Sequence, residues 1–294
     1  MMKLDIKTGN FQVKTGSKVD LSLWPTEIDP FYTSKSHYLE LLEESRQEIG
    51  ALQEVLYAHN HYTILLIFQG MDSAGKGGAI KHVMSGINPQ GCQVFSFQQP
   101  SSEELDHDFL WRTNKRLPER GRIGIFDRSY YEEVVVVRVE PDLLTRQRIP
   151  AEFVDPNRLW QERFSDIRNP EDYLHRNGTR IIKFFLHLSK EEQRKRFLAR
   201  IENSEKNWKI GCADVDARKL WDAYAVAYGE CLAATTISNA PWYIVPADDK
   251  RNTRLIVSSI LLETMKSLRM DFPEPTDAHR ENLARILEYL KNDK

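Results

Sequence analysis

The stretch YTILLIFQGMDSAGKGGAIKHVM, Tyr62 to Met84, decides how the rest of the chain is read. Tyr62 to Phe68 is a continuous apolar run, the pattern of a central parallel strand covered on both faces. Ile80, Val83 and Met84, with Ile87 just beyond, recur at helical spacing. Between strand and helix, Gly70, Gly75 and Lys76 complete the pattern Gly-x-x-x-x-Gly-Lys. In such a turn, successive backbone N–H groups and a helix N-terminus form a cradle for phosphate oxygens, and the lysine reaches in as a point charge. The expected phosphate-binding residues are Gly70, Ala74, Gly75, Lys76, Gly77 and Gly78, with Lys81 one turn on. One position departs from the pattern. The Ser or Thr whose hydroxyl normally holds magnesium is Gly77.

Two carboxylates are placed to compensate. Asp72 lies inside the loop, and Asp127 ends a second apolar run, RIGIF, where a parallel sheet presents residues beside the loop. Magnesium takes a few carboxylates together with waters and phosphate oxygens, so Asp72 and Asp127 are the expected metal pair, with Mn2+ as a substitute ion. Arg128, next along, suits bidentate binding of an acceptor phosphate. Asp72, Lys76, Asp127 and Arg128 form the expected catalytic set.

Outward from this centre, strands and helices alternate. CQVFSF (92–97), TRIIKFFLHLS (179–189) and PWYIVPA (241–247) read as further strands. Helices are expected over 36–58, 101–117, 156–177, 190–203, 214–234 and 251–269. VVVVRV, Val134 to Val139, reads as a strand on β-branched propensity or as a buried helix after an acidic turn, and the sequence leaves both open. The alternation implies a three-layer α/β/α sandwich around a mostly parallel sheet. The expected organisation is an irregular segment over 1–35, a kinase-like domain over 36–271 with a helical lid around 190–212, and an amphipathic helix over 272–294. The stripe Leu283, Ile286, Leu287 and Leu290 on that last helix is expected to dock on the domain rather than to serve an oligomer contact.

Composition narrows the chemistry. With 41% apolar and 29% charged residues over 294 positions, the chain has the balance of an ordinary globular protein. A net charge of −2 gives no support to a nucleic-acid or membrane partner. Cys92, Cys212 and Cys231, odd in number and widely spaced, argue against a disulfide framework or a zinc site and fit a reducing cytoplasm. The N-terminal sequence lacks the apolar core of a signal peptide, and no run approaches the ~20 apolar residues of a membrane span. A cytoplasmic location is therefore expected. Against this even balance, Arg180 to Lys209 carries nine Lys or Arg and four acids, an excess of five positive charges. In a phosphate-loop protein such a basic helix and loop suit a lid that closes over phosphates and excludes water. Arg112, with Lys81, Lys115 and Arg116, extends the positive wall. No Ser-His-Asp or Cys-His arrangement stands out. The residues alone imply a magnesium-dependent phosphotransferase acting on small phosphorylated molecules.

GMDSAGKGG, IGIFDRSYYEE, IIKFFLHLS, EEQRKRF, NWK (207–209) and APWYIVPADDK, in that order, resemble the polyphosphate kinase 2 family over roughly Ser36 to Arg269. The resemblance implies a phosphate-loop kinase fold with a helical lid, and reversible transfer of the terminal phosphate of inorganic polyphosphate to nucleoside mono- or diphosphates. It implies that Arg194, Arg196, Arg200, Lys206 and Lys209 hold polyphosphate, and that Arg112 and Arg128 serve the nucleotide. It also implies a homo-oligomer, dimer or tetramer. Asp72 would orient or partly deprotonate the acceptor phosphate through the metal. HDFLWR and SYYEEVVVVRV resemble the subgroup that accepts both ADP and AMP, which often carries Asn where this chain has Asp127. An extra negative charge there disfavours some acceptor geometries, so ADP to ATP is the expected reaction, GDP to GTP a companion, and AMP to ADP is left open. The alternative is an ATP-dependent nucleoside-monophosphate kinase of thymidylate-kinase type, whose Asp-Arg-Ser/Tyr signature FDRSYYE resembles. Those enzymes usually keep Ser or Thr after the loop lysine and place the loop near the N-terminus, whereas about sixty residues precede it here.

Overall fold

Five strands, β1 (Thr63–Gln69), β2 (Cys92–Ser96), β3 (Ile123–Asp127), β4 (Thr179–His187) and β5 (Trp242–Pro246), form one sheet in the order β2-β3-β1-β4-β5. Every neighbouring pair is parallel. The computed structural model describes residues 6–293, so residues 1–5 of the expected N-terminal segment and Lys294 of the expected last helix lie outside the described residues. The helices are α1 (Lys35–His59), α2 (Lys76–Val83), α3 (Ser102–Leu105), α4 (Trp111–Asn114), α5 (Glu132–Val139), α6 (Asp142–Thr145), α7 (Leu159–Arg176), α8 (Lys190–Glu202), α9 (Cys212–Lys219), α10 (Trp221–Thr235), α11 (Lys250–Ser267) and α12 (Asp277–Asn292).

The central strands are apolar on both sides because both sides are covered. Ile64, Leu66 and Phe68 of β1 face the layer made by α1, α2 and α11, while Leu65 and Ile67 face α5, α7 and α10. α1 starts where the Ser34 hydroxyl accepts from His37 N–H and ends at Asn60, which takes the left-handed conformation with φ 54°. The connection after β1 leads outward to β2, whereas the one after β3 crosses back over β1 to β4. The crevice therefore opens between the C-terminal ends of β1 and β3, where the glycine loop and Asp127 lie.

Several expected elements change shape. Val134 to Val139 is helical, within α5, because Val134, Val135 and Val137 are buried in the helical layer and packing overrides β-branched propensity. The single helix expected over 101–117 is two short ones, α3 and α4. Between them Asp108 turns its carboxylate to the Leu110 N–H, a local bond that competes with the helix. The helix expected over 214–234 breaks at Leu220 into α9, which buries no residue, and α10, which packs on the sheet. α2 stops at Val83, and Ile87 is buried from the turn beyond. α12 forms as expected but buries nothing, and Leu283, Ile286, Leu287 and Leu290 stay exposed, so the docking on the domain is not made. The segment before α1, expected to be irregular, runs as a strap across the molecule and covers the outer edge of β5 through Val13 N–H to Trp242 O at 2.9 Å. Among the described residues no helix is long and apolar enough to cross a membrane.

Candidate functional site

The loop leaves β1 through Gly70 at φ 146°, where an added Cβ would lie 2.7 Å from the Leu186 carbonyl oxygen. Only glycine allows β4 so close. The loop closes at Gly75, φ 104°, which caps α2 and places Lys76 at the first helical position. Lys76 is buried, and its Nζ donates to Gly70 O at 2.7 Å, across the mouth of the cradle. Burial, with the nearby Arg128 guanidinium, pushes its pKa below the ordinary 10.5, against the carboxylates of Asp72, Asp127 and Glu132.

β3 delivers the second half. Asp127 pairs in register with Phe68, one strand from the loop. Arg128 then takes a left-handed φ of 65°, anchors its N–H on Phe68 O at 3.0 Å, and donates from Nη2 to Asp72 Oδ1 at 2.8 Å. Asp72, Lys76, Asp127 and Arg128 thus converge as expected. The position of the missing hydroxyl is informative too, since a Cβ on Gly77 would meet Asp127 Oδ2 at 3.8 Å. Among the described residues the Asp127 carboxylate has no hydrogen-bond partner, and no group of three or more His, Cys, Asp or Glu is placed to hold a metal by itself. The donor set suits an ion that takes most of its ligands from phosphate and water, as Mg2+ does.

α8 crosses over the loop and grips its carbonyls. Gln193 Nε2 donates to Asp72 O at 2.9 Å, and Arg196 Nη1 donates to Ser73 O and Ala74 O at 3.0 and 3.1 Å. Arg196 also donates from Nη2 to Ala247 O and Asp248 O, and from Nε to Glu192. All five of its N–H groups are committed inside the protein. Arg196 is thus a clasp on the loop, and it brings its charge rather than a free N–H to the surface beside it.

Two cavities meet at the loop. One, of about 420 Å³, is reached from Gly70, Asp72 and Arg128 and is lined by Glu132, Val136, Tyr224 and Tyr228. The other, of about 600 Å³, lies against Ser73, Gly75 and Gly78 and is lined by Lys195, Arg200, Lys206, Lys250 and Arg254. Of the expected lid cations, Arg196, Arg200 and Lys206 line this second cavity. Arg194 instead pairs with Glu191 on the outside of α8, and Lys209 rests 4.9 Å over the Trp208 ring. Arg112 stands in the wall of the first cavity, but Gln98 O at 2.7 Å and Glu133 at 3.5 Å hold its guanidinium. Lys81 is exposed on α2 and lines neither cavity.

Sequence reasoning missed four contributors. Ser73 has a buried hydroxyl with no hydrogen-bond partner among the described residues, at the edge of the cationic cavity. Lys250 and Arg254 join that cavity from α11, far along the chain. Partial burial and the neighbouring Arg196, Arg254 and Lys206 lower the Lys250 pKa, with Glu192 opposing. Glu132, in the first turn of α5, faces the other cavity, and burial raises its carboxyl pKa against the pull of Arg128 and Lys76. Only the acidic pair after SYY and the PADDK turn marked these places in the sequence.

The family profile described as Polyphosphate kinase 2 (PPK2) matches residues 32–273. The chain is 58% identical over 287 residues to an ADP-polyphosphate phosphotransferase of Rhodopseudomonas palustris, covering 98% of this chain and 99% of that protein. It is 39% identical to an AMP/ADP-polyphosphate phosphotransferase of Meiothermus ruber, covering 91% and 96%. A crystal structure of polyphosphate kinase 2 from Arthrobacter aurescens TC1 superposes with a TM-score of 0.86 at 34% identity, covering 98% of this chain and 99% of that one. The glycine loop, the Asp127–Arg128 corner and these likenesses agree: the chain belongs to the polyphosphate kinase 2 family.

Proposed function

We propose that this protein is a polyphosphate-dependent nucleotide kinase that moves the terminal phosphate of inorganic polyphosphate onto ADP, and onto GDP beside it, reversibly. The observation that carries the reading is the pair of cavities of opposite character sharing one phosphate loop. The side lined by Lys195, Arg200, Lys206, Lys250 and Arg254 suits a long polyanion, which needs a track of cations rather than a shaped pocket. Its crowding of cations, with Glu192 as the one acid in its lining, favours an anionic guest. The side with Tyr224, Tyr228, Val136 and Arg128 suits a nucleotide, with aromatic and apolar surface for the base and an arginine at the phosphate end.

The loop N–H groups and Lys76 hold the transferring phosphate, and Arg128, fixed by Asp72, orients the acceptor phosphate. A phosphoanhydride P–O bond at the end of polyphosphate breaks as a P–O bond forms to an oxygen of the nucleotide's terminal phosphate, leaving the chain one phosphate shorter. Asp72 and Asp127 would hold Mg2+, or Mn2+ in its place, and that ion would neutralise charge on the phosphate oxygens. The names of the relatives, one for ADP and one for AMP and ADP, support a nucleotide acceptor. Self-association into a dimer or tetramer, with the bare apolar stripe of α12 as its contact, completes the reading.

The test is incubation of the purified protein with Mg2+, long-chain polyphosphate and ADP, GDP or AMP, without any triphosphate, followed by chromatography. ATP forms from ADP, and Lys76→Ala lowers the rate by a factor on the order of 10² to 10³. ADP without polyphosphate stays unchanged, and ATP with short polyphosphate runs the reaction backward. Folded protein that makes no ATP from polyphosphate overturns the reading, and a panel of nucleoside monophosphates with ATP then tests the thymidylate-kinase alternative.

A further inference from the structure

We propose that the N-terminal strap sets the position of the phosphate loop and the lid helix, with Thr26 and Asp248 as positioning residues for polyphosphate. The proposal rests on the phosphotransferase reading above. Asp248 lies just beyond β5, and its polar atoms hold the strap and both the start and the middle of α8. Oδ1 accepts from the Ser189 N–H, at the N-cap of the lid helix α8, at 2.8 Å. Oδ2 accepts from the Thr26 hydroxyl at 2.9 Å. Its backbone N–H donates to Thr26 O at 3.0 Å, and its carbonyl accepts from Arg196 Nη2 at 3.0 Å. Arg196 in turn holds Ser73 O and Ala74 O. Direct contacts therefore run from Thr26 through Asp248 and Arg196 into the loop.

The loop end of that path has a mechanical consequence. In a planar trans peptide the C=O and N–H point in opposite directions. Drawing Ala74 O toward Arg196 therefore aims the Gly75 N–H away from α8, at the cradle. The strap end is firmly seated. Tyr32 Oη donates to Asp249 at 2.6 Å, Phe31 N–H donates to Asn252 Oδ1 at 2.9 Å, and the His187 ring donates to Leu21 O and Trp24 O at 3.0 and 3.2 Å. Residues 21–32 thus fill the gap between the corner where β4 meets α8 and the corner where β5 meets α11. Both corners carry groups of the cationic cavity: Lys195 and Arg200 from α8, and Lys250 and Arg254 from α11. A plain cover for the sheet edge needs only Gln12 and Val13, which pair with β5 at some remove from Thr26. The carboxylate at the start of α8 also suits the positive end of that helix.

The test compares wild type with Thr26→Val, Asp248→Asn and Asp248→Ala. KM for polyphosphate, KM for ADP and kcat are measured, together with hydrogen exchange over 73–76 and 189–196 and the thermal midpoint. Thr26→Val keeps the shape and loses one hydrogen bond. It is expected to raise KM for polyphosphate about threefold to tenfold, with KM for ADP held and exchange faster in both segments. Asp248→Ala gives the larger change, and Asp248→Asn, which keeps one acceptor, falls between. Equal KM values and exchange in Thr26→Val and wild type overturn the proposal, as does a loss of thermal midpoint with both KM values moving together. Wild type that makes no ATP from polyphosphate overturns the phosphotransferase reading itself. The exchange data then decide the link alone: faster exchange at 73–76 in Thr26→Val upholds it, and unchanged exchange overturns it.

Discussion

Two arginines one turn apart on α8 have opposite roles. Both line the cationic cavity, but Arg196 is saturated by protein acceptors, whereas Arg200 has no hydrogen-bond partner among the described residues. Arg196→Lys is expected to destabilise the protein by about 1.5–3 kcal/mol in urea unfolding, because one ammonium does not span two pairs of carbonyls. Arg200→Ala is expected to leave stability within about 0.5 kcal/mol while weakening polyphosphate binding. A second buried cation supports the turn that carries Arg128. Lys183, fully buried on β4, donates to Glu171 at 2.7 Å and to the Tyr131 hydroxyl at 2.9 Å, while Tyr130 and Tyr131 both donate to Glu171. Burial pushes the Glu171 carboxyl up and the Lys183 ammonium down, and their contact pulls each back toward its charged form. Lys183→Met leaves a buried carboxylate without its counter-ion and is expected to cost about 3–5 kcal/mol in urea unfolding. Replacing both, as Lys183→Met with Glu171→Leu, is expected to recover much of that loss.

At the level of elements, the departures from expectation share a cause. α5 is helical because its valines are packed between α7 and α10, and α9 separates from α10 because α9 buries no residue whereas α10 packs against α5 and α7. The strap carries a titration of its own. Burial lowers the His187 pKa below 6.5, while the Leu21 and Trp24 carbonyls and Asp248 pull it the other way. A depressed folded pKa favours the neutral ring. The stability it contributes is present above the unfolded value of 6.5 and is lost as pH falls through the folded value. The urea midpoint of the wild type should therefore fall more steeply below about pH 6.5 than that of His187→Gln, which keeps a donor for the carbonyls and does not titrate. Equal slopes would show that His187 does not contribute.

Over the whole molecule, one loop borders two cavities, and α8 reaches both: Gln193 lines the first, Lys195 and Arg200 the cationic one. Movement of α8 is thus felt by both sites together. α12 stands apart, with Leu287, Tyr289 and Leu290 more than half exposed at 54%, 68% and 61%. A chain ending at Asp271 is expected to have a smaller mass by light scattering than the full chain while keeping its thermal midpoint, since α12 buries nothing in its own subunit. An unchanged mass would place any self-association on another face.

The parallel sheet, the glycine loop after β1 and the convergence of Asp72, Lys76, Asp127 and Arg128 beside it were legible in the sequence. Each depends on short-range rules: apolar runs for buried strands, glycine where the backbone turns left-handed, and charge at the C-terminal end of a strand. The direction of each cation was not legible. Arg194, Arg196 and Arg200 belong to one basic run, yet Arg194 pairs outside, while Arg196 and Arg200 both line the cavity and only Arg196 clasps the loop. Glu132 came to line one cavity, and Ser73, Lys250 and Arg254 the other, only once α8, α11 and the strap were packed against the sheet. Side-chain direction is set by neighbours distant in sequence, and tertiary packing alone brings those neighbours together.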